Sequence, residues 1–259
     1  MNFENQYCHV SLSDNGVGTL SIQHAGHLNI LSSAVINSLL EGFAHVRSHA
    51  AYRVLIVRGE GDKAFVAGAD IKEMAALNAD NATVFIDKLR QLCDAPRMLP
   101  IPVIARIPGW ALGGGLEFAL CCDLRVASTN SKMGMPEVKV GIPSIIHAAL
   151  MPRLIGKTRS SWLLLTGEVI DAEKALSWGM IDQLVSPDNL DVEVKTLADN
   201  LAALGPKVLS QQKRLLREWE DEPAEVSIMN GVKEFASAYK TGEPEQYMSK
   251  FFGQKAKNH

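Results

Sequence analysis

The sequence predicts an α/β fold whose last third is helical. Through the first half of the chain, short β-branched runs alternate with helical stretches. Beyond about residue 145, helical patterns follow one another with only glycine and proline breaks between them. The 259 residues suffice for one large domain, or one with a small appendage.

The elements follow in order. Residues 9–12 and 17–22 flank Asp14-Asn15-Gly16, a tight-turn signal, and read as a hairpin. Ile36, Leu39, Leu40, Phe43 and Val46 recur at three and four, which predicts an amphipathic helix capped by Ser32 or Ser33. Residues 53–57 form a buried strand closed by Gly59 and Gly61. Residues 81–93 are helical, with Phe85, Leu89 and Leu92 on one side. Residues 102–107 and 124–127 are strands, and a helix begun by glycines runs through 116–120. Helices are then expected over 145–154, 159–165, 172–178, 192–204, 207–219 and 224–239. The division expected is a core over 1–195 and a helical region over 196–259.

Composition narrows the function. A net charge of −3, from 26 basic and 29 acidic residues, disfavours a general nucleic-acid binder. No apolar run approaches the ~20 residues that span a bilayer. The first ten residues lack the pattern of a targeting signal, so a cytoplasmic protein is expected. Cys8, Cys93, Cys121 and Cys122 show no CxxC spacing and read as reduced thiols, with no metal expected.

Three segments can carry chemistry. In 65–74, the small residues Ala67, Gly68 and Ala69 follow a strand, so backbone can approach a ligand and aim N–H groups at one atom. A plain strand-to-helix turn would look similar. In 109–117, a strand leads through Leu112, Gly113, Gly114 and Gly115 into a helix. A phosphate loop is excluded because no Gly-Lys-Ser/Thr follows, and the spacing is wrong for a dinucleotide fingerprint. An oxyanion hole remains, with N–H groups facing a carbonyl oxygen that gains charge. Glu117 stands one turn after Gly114 in an apolar stretch, where a carboxylate needs a reason. In 133–137, Pro136 fixes a turn and Glu137 is displayed on a loop.

Jointly these segments resemble the crotonase family of enoyl-CoA hydratases and isomerases. The resemblance rests on Ala67-Gly68-Ala69-Asp70-Ile71-Lys72-Glu73-Met74, on Gly109 with residues 111–117, on Cys122-Asp123-Leu124-Arg125, and on Pro136-Glu137. It continues through Leu165-Thr166-Gly167 and Gly179-Met180-Ile181-Asp182 and covers nearly the whole chain. It implies a spiral of ββα repeats with a helical C-terminal trimerisation region, as a homotrimer or a dimer of trimers. It implies an acyl-CoA thioester as substrate, with coenzyme A part of that substrate and no separate cofactor. Ala69 and Gly114 would hold the thioester oxygen. Ala67, Gly68, Asp70, Ile71 and Lys72 would lie on the substrate path, as would Leu112, Gly113, Pro136 and Ser144. Phe251 and Lys255 would close over coenzyme A. Glu117 would orient water as a base, and Glu137 would give a proton to carbon. Isomerases of the family generally manage with one glutamate, so two favour a hydratase. An isomerase and a noncatalytic RNA-binding relative are the alternatives.

The sequence departs from the family pattern at 144–147. Ser144 stands where glycine is usual, and Ile145, Ile146 and His147 replace smaller residues. The expectation is that Ser144 caps a helix and His147 packs beside it. A Ser144–His147 hydrolytic pair is the competing reading. The added bulk favours short or branched acyl groups. A second departure is at 24–29: either a basic contact to the coenzyme phosphates is missing, or His24 or His27 supplies it, or the two are plain surface histidines of a loop.

Overall fold

A computed structural model describes residues 2–255. The chain begins with β1 (Phe3–Glu4), β2 (Cys8–Leu12) and β3 (Val17–Ile22), an antiparallel meander. Gly16, at φ +86°, makes the predicted turn. Helix α1 (Ser33–Ser48) is capped by Ser32, whose Oγ accepts from the Val35 N–H at 3.3 Å. Then follow β4 (Val54–Arg58), β5 (Ala64–Val66), α2 (Ile71–Ala75) and α3 (Ala79–Met98). The next turn is β6 (Val103–Ile107), β7 (Trp110–Leu112) and α4 (Gly114–Leu120). The third begins with β8 (Leu124–Ser128) and β9 (Lys132–Gly134). Two 3-10 turns, Pro136–Val140 and Ile146–Leu150, lead to α5 (Met151–Ile155) and α6 (Lys157–Thr166). β10 (Val169–Asp171), α7 (Ala172–Ser177) and β11 (Gln183–Val185) complete the core.

Each turn of chain gives one strand to each of two sheets. The seven-stranded sheet has the order β1-β2-β3-β4-β6-β8-β11, and the four-stranded sheet β10-β9-β7-β5. From β3 onward the large sheet is parallel. Its central strands are apolar runs buried along nearly their whole length, as two covered faces require. The small sheet is parallel across β5, β7 and β9, so the chain advances as a spiral of strand–strand–helix units. Its three-residue strands are too short to show a period, which is why the sequence pattern reads them as loop.

Four helices follow: α8 (Leu190–Ala202), α9 (Pro206–Glu218), α10 (Ala224–Tyr239) and α11 (Glu243–Lys255). Leu190, Val194, Ala198 and Ala202 of α8 bury against Val54, Ile56, Ile104 and Val126 of the large sheet. The division expected at 195/196 therefore falls inside a helix whose whole inner face belongs to the core. Two helix boundaries also move. α3 continues past Cys93 to Met98 and carries Pro96 in its last turn, where the Lys213 ammonium takes the Pro96 carbonyl at 2.6 Å. The helix expected over 145–154 starts late, because Ile145 is extended and Ile146 turns to φ +46°, and its first part is a 3-10 turn that passes into α5 at Met151. Among the described residues no helix is long and apolar enough to cross a membrane.

Lys213 ties α9 to the core. Its ammonium is buried and also donates to Ile101 O at 2.8 Å and to Asp123 Oδ2 at 2.7 Å. The same Asp123 oxygen accepts from the Val103 N–H at 2.7 Å, so one carboxylate joins β6, β8 and α9. Removing one member of such a pair leaves the other charge buried alone. Lys213→Met should lower unfolding free energy by about 3–5 kcal/mol in denaturant titration, whereas removing the exposed Lys195–Asp199 pair should change it by less than about 1 kcal/mol.

Candidate active site

Two loops meet because glycines let backbone touch backbone. Gly115 packs on the Val66 carbonyl so closely that a Cβ would overlap it. Gly68, at φ +115°, faces the Leu112 carbonyl. The end of β5 and the start of α4 are thereby held side by side.

The hydrogen bonding among the described residues leaves the Ala69 amide on one loop and the Gly114 amide on the other without an acceptor. In the loop after β5, Leu31 donates to Gly68 O and accepts from the Asp70 N–H, both at 3.0 Å. This bridge skips the Ala69 N–H, which is turned the other way. At the start of α4 the Gly113 N–H donates to Gly134 O at 2.9 Å. Among the described residues, neither the Ala69 N–H nor the Gly114 N–H has a hydrogen-bond acceptor. Unpaired donors of this kind are uncommon unless water or a ligand meets them.

Both acids border the same cleft. It has a volume of about 300 Å³, and its walls are mainly apolar, including Met74, Phe85, Leu89 and Ile142. Glu117 projects from the fully buried α4 and is 3% exposed. Its Oε1 accepts from the Ala148 N–H at 2.8 Å. Burial pushes the Glu117 carboxyl up to about 8; the Ala148 bond opposes this, and the Glu137 charge adds to it. Glu137 lies on the turn after Pro136, with Oε1 against Gly113, where a Cβ would stand 2.5 Å from it. Glycine at 113 thus leaves room for this carboxyl and also supplies the needed φ of +53°. The Ser144 hydroxyl donates to Glu137 Oε2 at 2.9 Å. Burial raises the Glu137 carboxyl too, against the pull of its own N–H and of that hydroxyl.

Most of the residues expected from sequence line this cleft. Ala67, Gly68, Ala69, Ile71, Leu112, Gly113, Gly114, Glu117, Pro136 and Glu137 all do. Asp70 does not: its carboxylate caps α2, accepting from the Lys72 and Glu73 N–H groups at 2.8 and 3.2 Å. Lys72 points to solvent on α2. Phe251 is an exposed residue of α11, packed edge-on against Phe252. The side chain of Lys255 lies outside the described residues. His24 and His27 line a separate cleft with Glu60, Asp62 and Lys63.

Two expectations for 144–147 are corrected. Ser144 caps no helix, since the following 3-10 turn begins after Ile145 with no side-chain cap. Its hydroxyl is bound to a carboxylate instead. The Ser144–His147 pair does not form either, because His147 Nε2 is bonded to Asp94 Oδ1 at 2.9 Å. The cleft walls from Ile86, Lys139 and Val140 were not singled out from sequence. Only the helical stripe of Phe85 and Leu89 pointed toward them.

The comparisons agree with this architecture. The family model described as enoyl-CoA hydratase/isomerase matches residues 13–255. A crotonyl-CoA hydratase of Syntrophomonas wolfei is 32% identical over 243 residues, covering 93% of this chain and 94% of that protein. An (E)-benzylidenesuccinyl-CoA hydratase of Thauera aromatica is 33% identical over 216 residues, covering 83% and 84%. The crystal structure of an enoyl-CoA hydratase from Bacillus anthracis superposes with a TM-score of 0.91 at 28% identity, covering 96% of this chain and 97% of that one.

The raised Glu117 carboxyl makes stability pH-dependent. Below its ordinary value of 4.5 both folded and unfolded chains hold the proton. Between 4.5 and about 8 the unfolded chain has released it and the folded chain has not, so stability falls as pH rises. Glu117→Gln keeps the Ala148 bond and removes the titration. The variant should therefore melt higher than the wild type, by a margin that grows from pH 5 to pH 8 and then levels off. A margin constant with pH in thermal melts would contradict this account.

Proposed function

The chain belongs to the enoyl-CoA hydratase/isomerase family, and from this we propose that it is a hydratase adding water across the 2,3-double bond of a 2-enoyl-CoA. The observation that carries the reading is the pair of carboxyls, buried Glu117 and half-buried Glu137, on one cleft with the unpaired Ala69 and Gly114 amides. Addition of water to a conjugated thioester moves negative charge onto its carbonyl oxygen. Two N–H donors aimed there stabilise that charge, at about 3 kcal/mol for each. Water must lose a proton while the α-carbon gains one. Two carboxyls that share a proton do both jobs on one water molecule.

We assign Glu117 as the base that orients water and Glu137 as the acid toward carbon. Ala148 holds one oxygen of the first and Ser144 one oxygen of the second. Each carboxyl is thus steadied on one side and keeps its other oxygen for chemistry. The modest apolar cleft, with Ile142 and Ile145 in its wall, favours short or branched acyl groups. Self-association is part of the same reading: α10 buries no residue within this chain and exposes Ile228, Met229, Val232 and Phe235.

Crotonyl-CoA and branched enoyl-CoA thioesters should lose their conjugated absorbance when the protein is added, and no loss with any of them would defeat the hydratase reading. Glu117→Gln and Glu137→Gln should each lower kcat by about a hundred- to ten-thousand-fold with coenzyme A affinity nearly unchanged. Near-normal turnover in either variant would remove that residue from the mechanism. The role of Glu117 has its own test in the pH dependence of kcat/KM, which reports the free enzyme. A base needs the ionised form, so while Glu137 keeps its proton the rate should climb with pH and be half-maximal near pH 8. A rate that declines through that range would assign the proton donor to Glu117 instead.

A further inference from the structure

Behind Glu117, three side chains converge from three separate elements. Cys93 comes from α3, Cys121 follows the last residue of α4, and His147 lies in the 3-10 turn Ile146–Leu150. The two sulfurs and one imidazole nitrogen all lie within 4.8 Å of one another. Both cysteines are buried and free of disulfide. His147 Nδ1 is buried and makes no hydrogen bond of ordinary geometry. Its other nitrogen is held by Asp94 at 2.9 Å.

We propose that Cys93, Cys121 and His147 form a binding site for a thiophilic metal ion of the zinc(II) class. Two thiolates and one imidazole are a donor set that zinc takes. Zinc bonds of about 2.3 Å to sulfur and 2.0–2.1 Å to nitrogen place donor atoms of a tetrahedron roughly 3.5–3.8 Å apart. The observed spacing needs at most a small closure to reach that. The Asp94 carboxylate supplies what a metal-binding histidine usually has, a partner on the far nitrogen that fixes ring and tautomer. It takes Nε2 and so leaves Nδ1 for the ion. As the ion enters, each thiol loses its proton to solvent and the two sulfurs bind as thiolates. The three donors leave a fourth position for water.

The alternative use of the cluster is simple packing. Buried cysteines commonly pack as small hydrophobes. Packing alone, however, leaves the buried His147 Nδ1 with only the Cys121 thiol beside it, a weak partner at poor geometry. The site sits next to the acids: Ala148, which holds Glu117, follows His147 directly, and the Cys121 N–H donates to Glu117 O at 3.1 Å.

Cobalt(II) is the probe, added without oxygen to the reduced full-length protein. The expected result is one ion per chain, with a sulfur-to-cobalt charge-transfer band in the near ultraviolet and visible bands of tetrahedral intensity. Zinc(II) should displace it stoichiometrically and raise the melting temperature. Cys93→Ser and Cys121→Ser should each halve the charge-transfer intensity and weaken binding by at least a hundredfold. Asp94→Asn changes a half-exposed residue outside the donor set. It should keep both sulfur bonds and weaken affinity by about ten- to a hundredfold. No charge-transfer band in the wild type at millimolar cobalt would overturn the proposal. Binding that persists unchanged in both serine variants would overturn it too, since the ion would then sit elsewhere. None of these readouts depends on enoyl-CoA turnover.

Discussion

No side chain fits between the start of α4 and the end of β5. The Gly115 α-carbon rests on the Val66 carbonyl, and this contact sets the distance between the two loops that carry Ala69 and Gly114. Everything in the cleft is arranged around it. The loop after β5 spends its neighbouring hydrogen bonds on Leu31 and keeps the Ala69 N–H free. Gly113 turns the chain into α4 and leaves space in which the Glu137 carboxyl lies. Gly114 in turn packs against Leu89, which ties the amide to the helix that forms the cleft wall. Three consecutive glycines thus have three different neighbours, and no one substitution among them is equivalent to another.

The same arrangement costs stability where it places the acids. A carboxyl at 3% exposure is held neutral into the physiological range because ionising it there is unfavourable. The surrounding core absorbs that cost. Phe65 and Phe118 stack at 5.7 Å, and Phe118 meets Phe43 edge-on at 6.0 Å, so the residue next to Glu117 is anchored by two rings. A helix of seven residues would not stand by itself. Its burial fixes the direction of the one acid it bears.

Local pattern was enough for the hairpin, for α1 and its Ser32 cap, and for β4, β6 and β8 of the large sheet, though not for its three-residue β11. Each has a period or an apolar run longer than its ambiguity. The small sheet was not legible, since β5, β7 and β9 have three residues each and are defined by one another, not by local sequence. The acid on α4 stood out because nothing near it in sequence was polar. The partner of Glu137 did not, because Ser144 reaches it only when the chain folds back over seven residues. Asp94 and His147 are 53 residues apart, and no spacing rule joins them. Asp70 was placed on the substrate path by resemblance, whereas its carboxylate is occupied by two backbone amides of α2.

The segment 144–148 links the two acids to the acyl end of the cleft. It departs from the family pattern, and it also donates a hydrogen bond to each acid: Ser144 bonds Glu137, and Ala148 bonds Glu117. A regular helix through these residues would direct the two groups differently, because Ser144 and Ala148 would share one face a turn apart. The break comes at Ile146, a β-branched residue at φ +46°, a conformation that costs about 1–3 kcal/mol. Packing of Ile146 and Leu150 against the main core holds it there. Ile145, the residue before Ile146, forms part of the cleft wall. The bulk that shapes the acyl end of the cleft and the kink that positions the acids are therefore properties of one strained turn. A change to either alters the other, so acyl preference and acid geometry in this chain are coupled through the backbone of five residues.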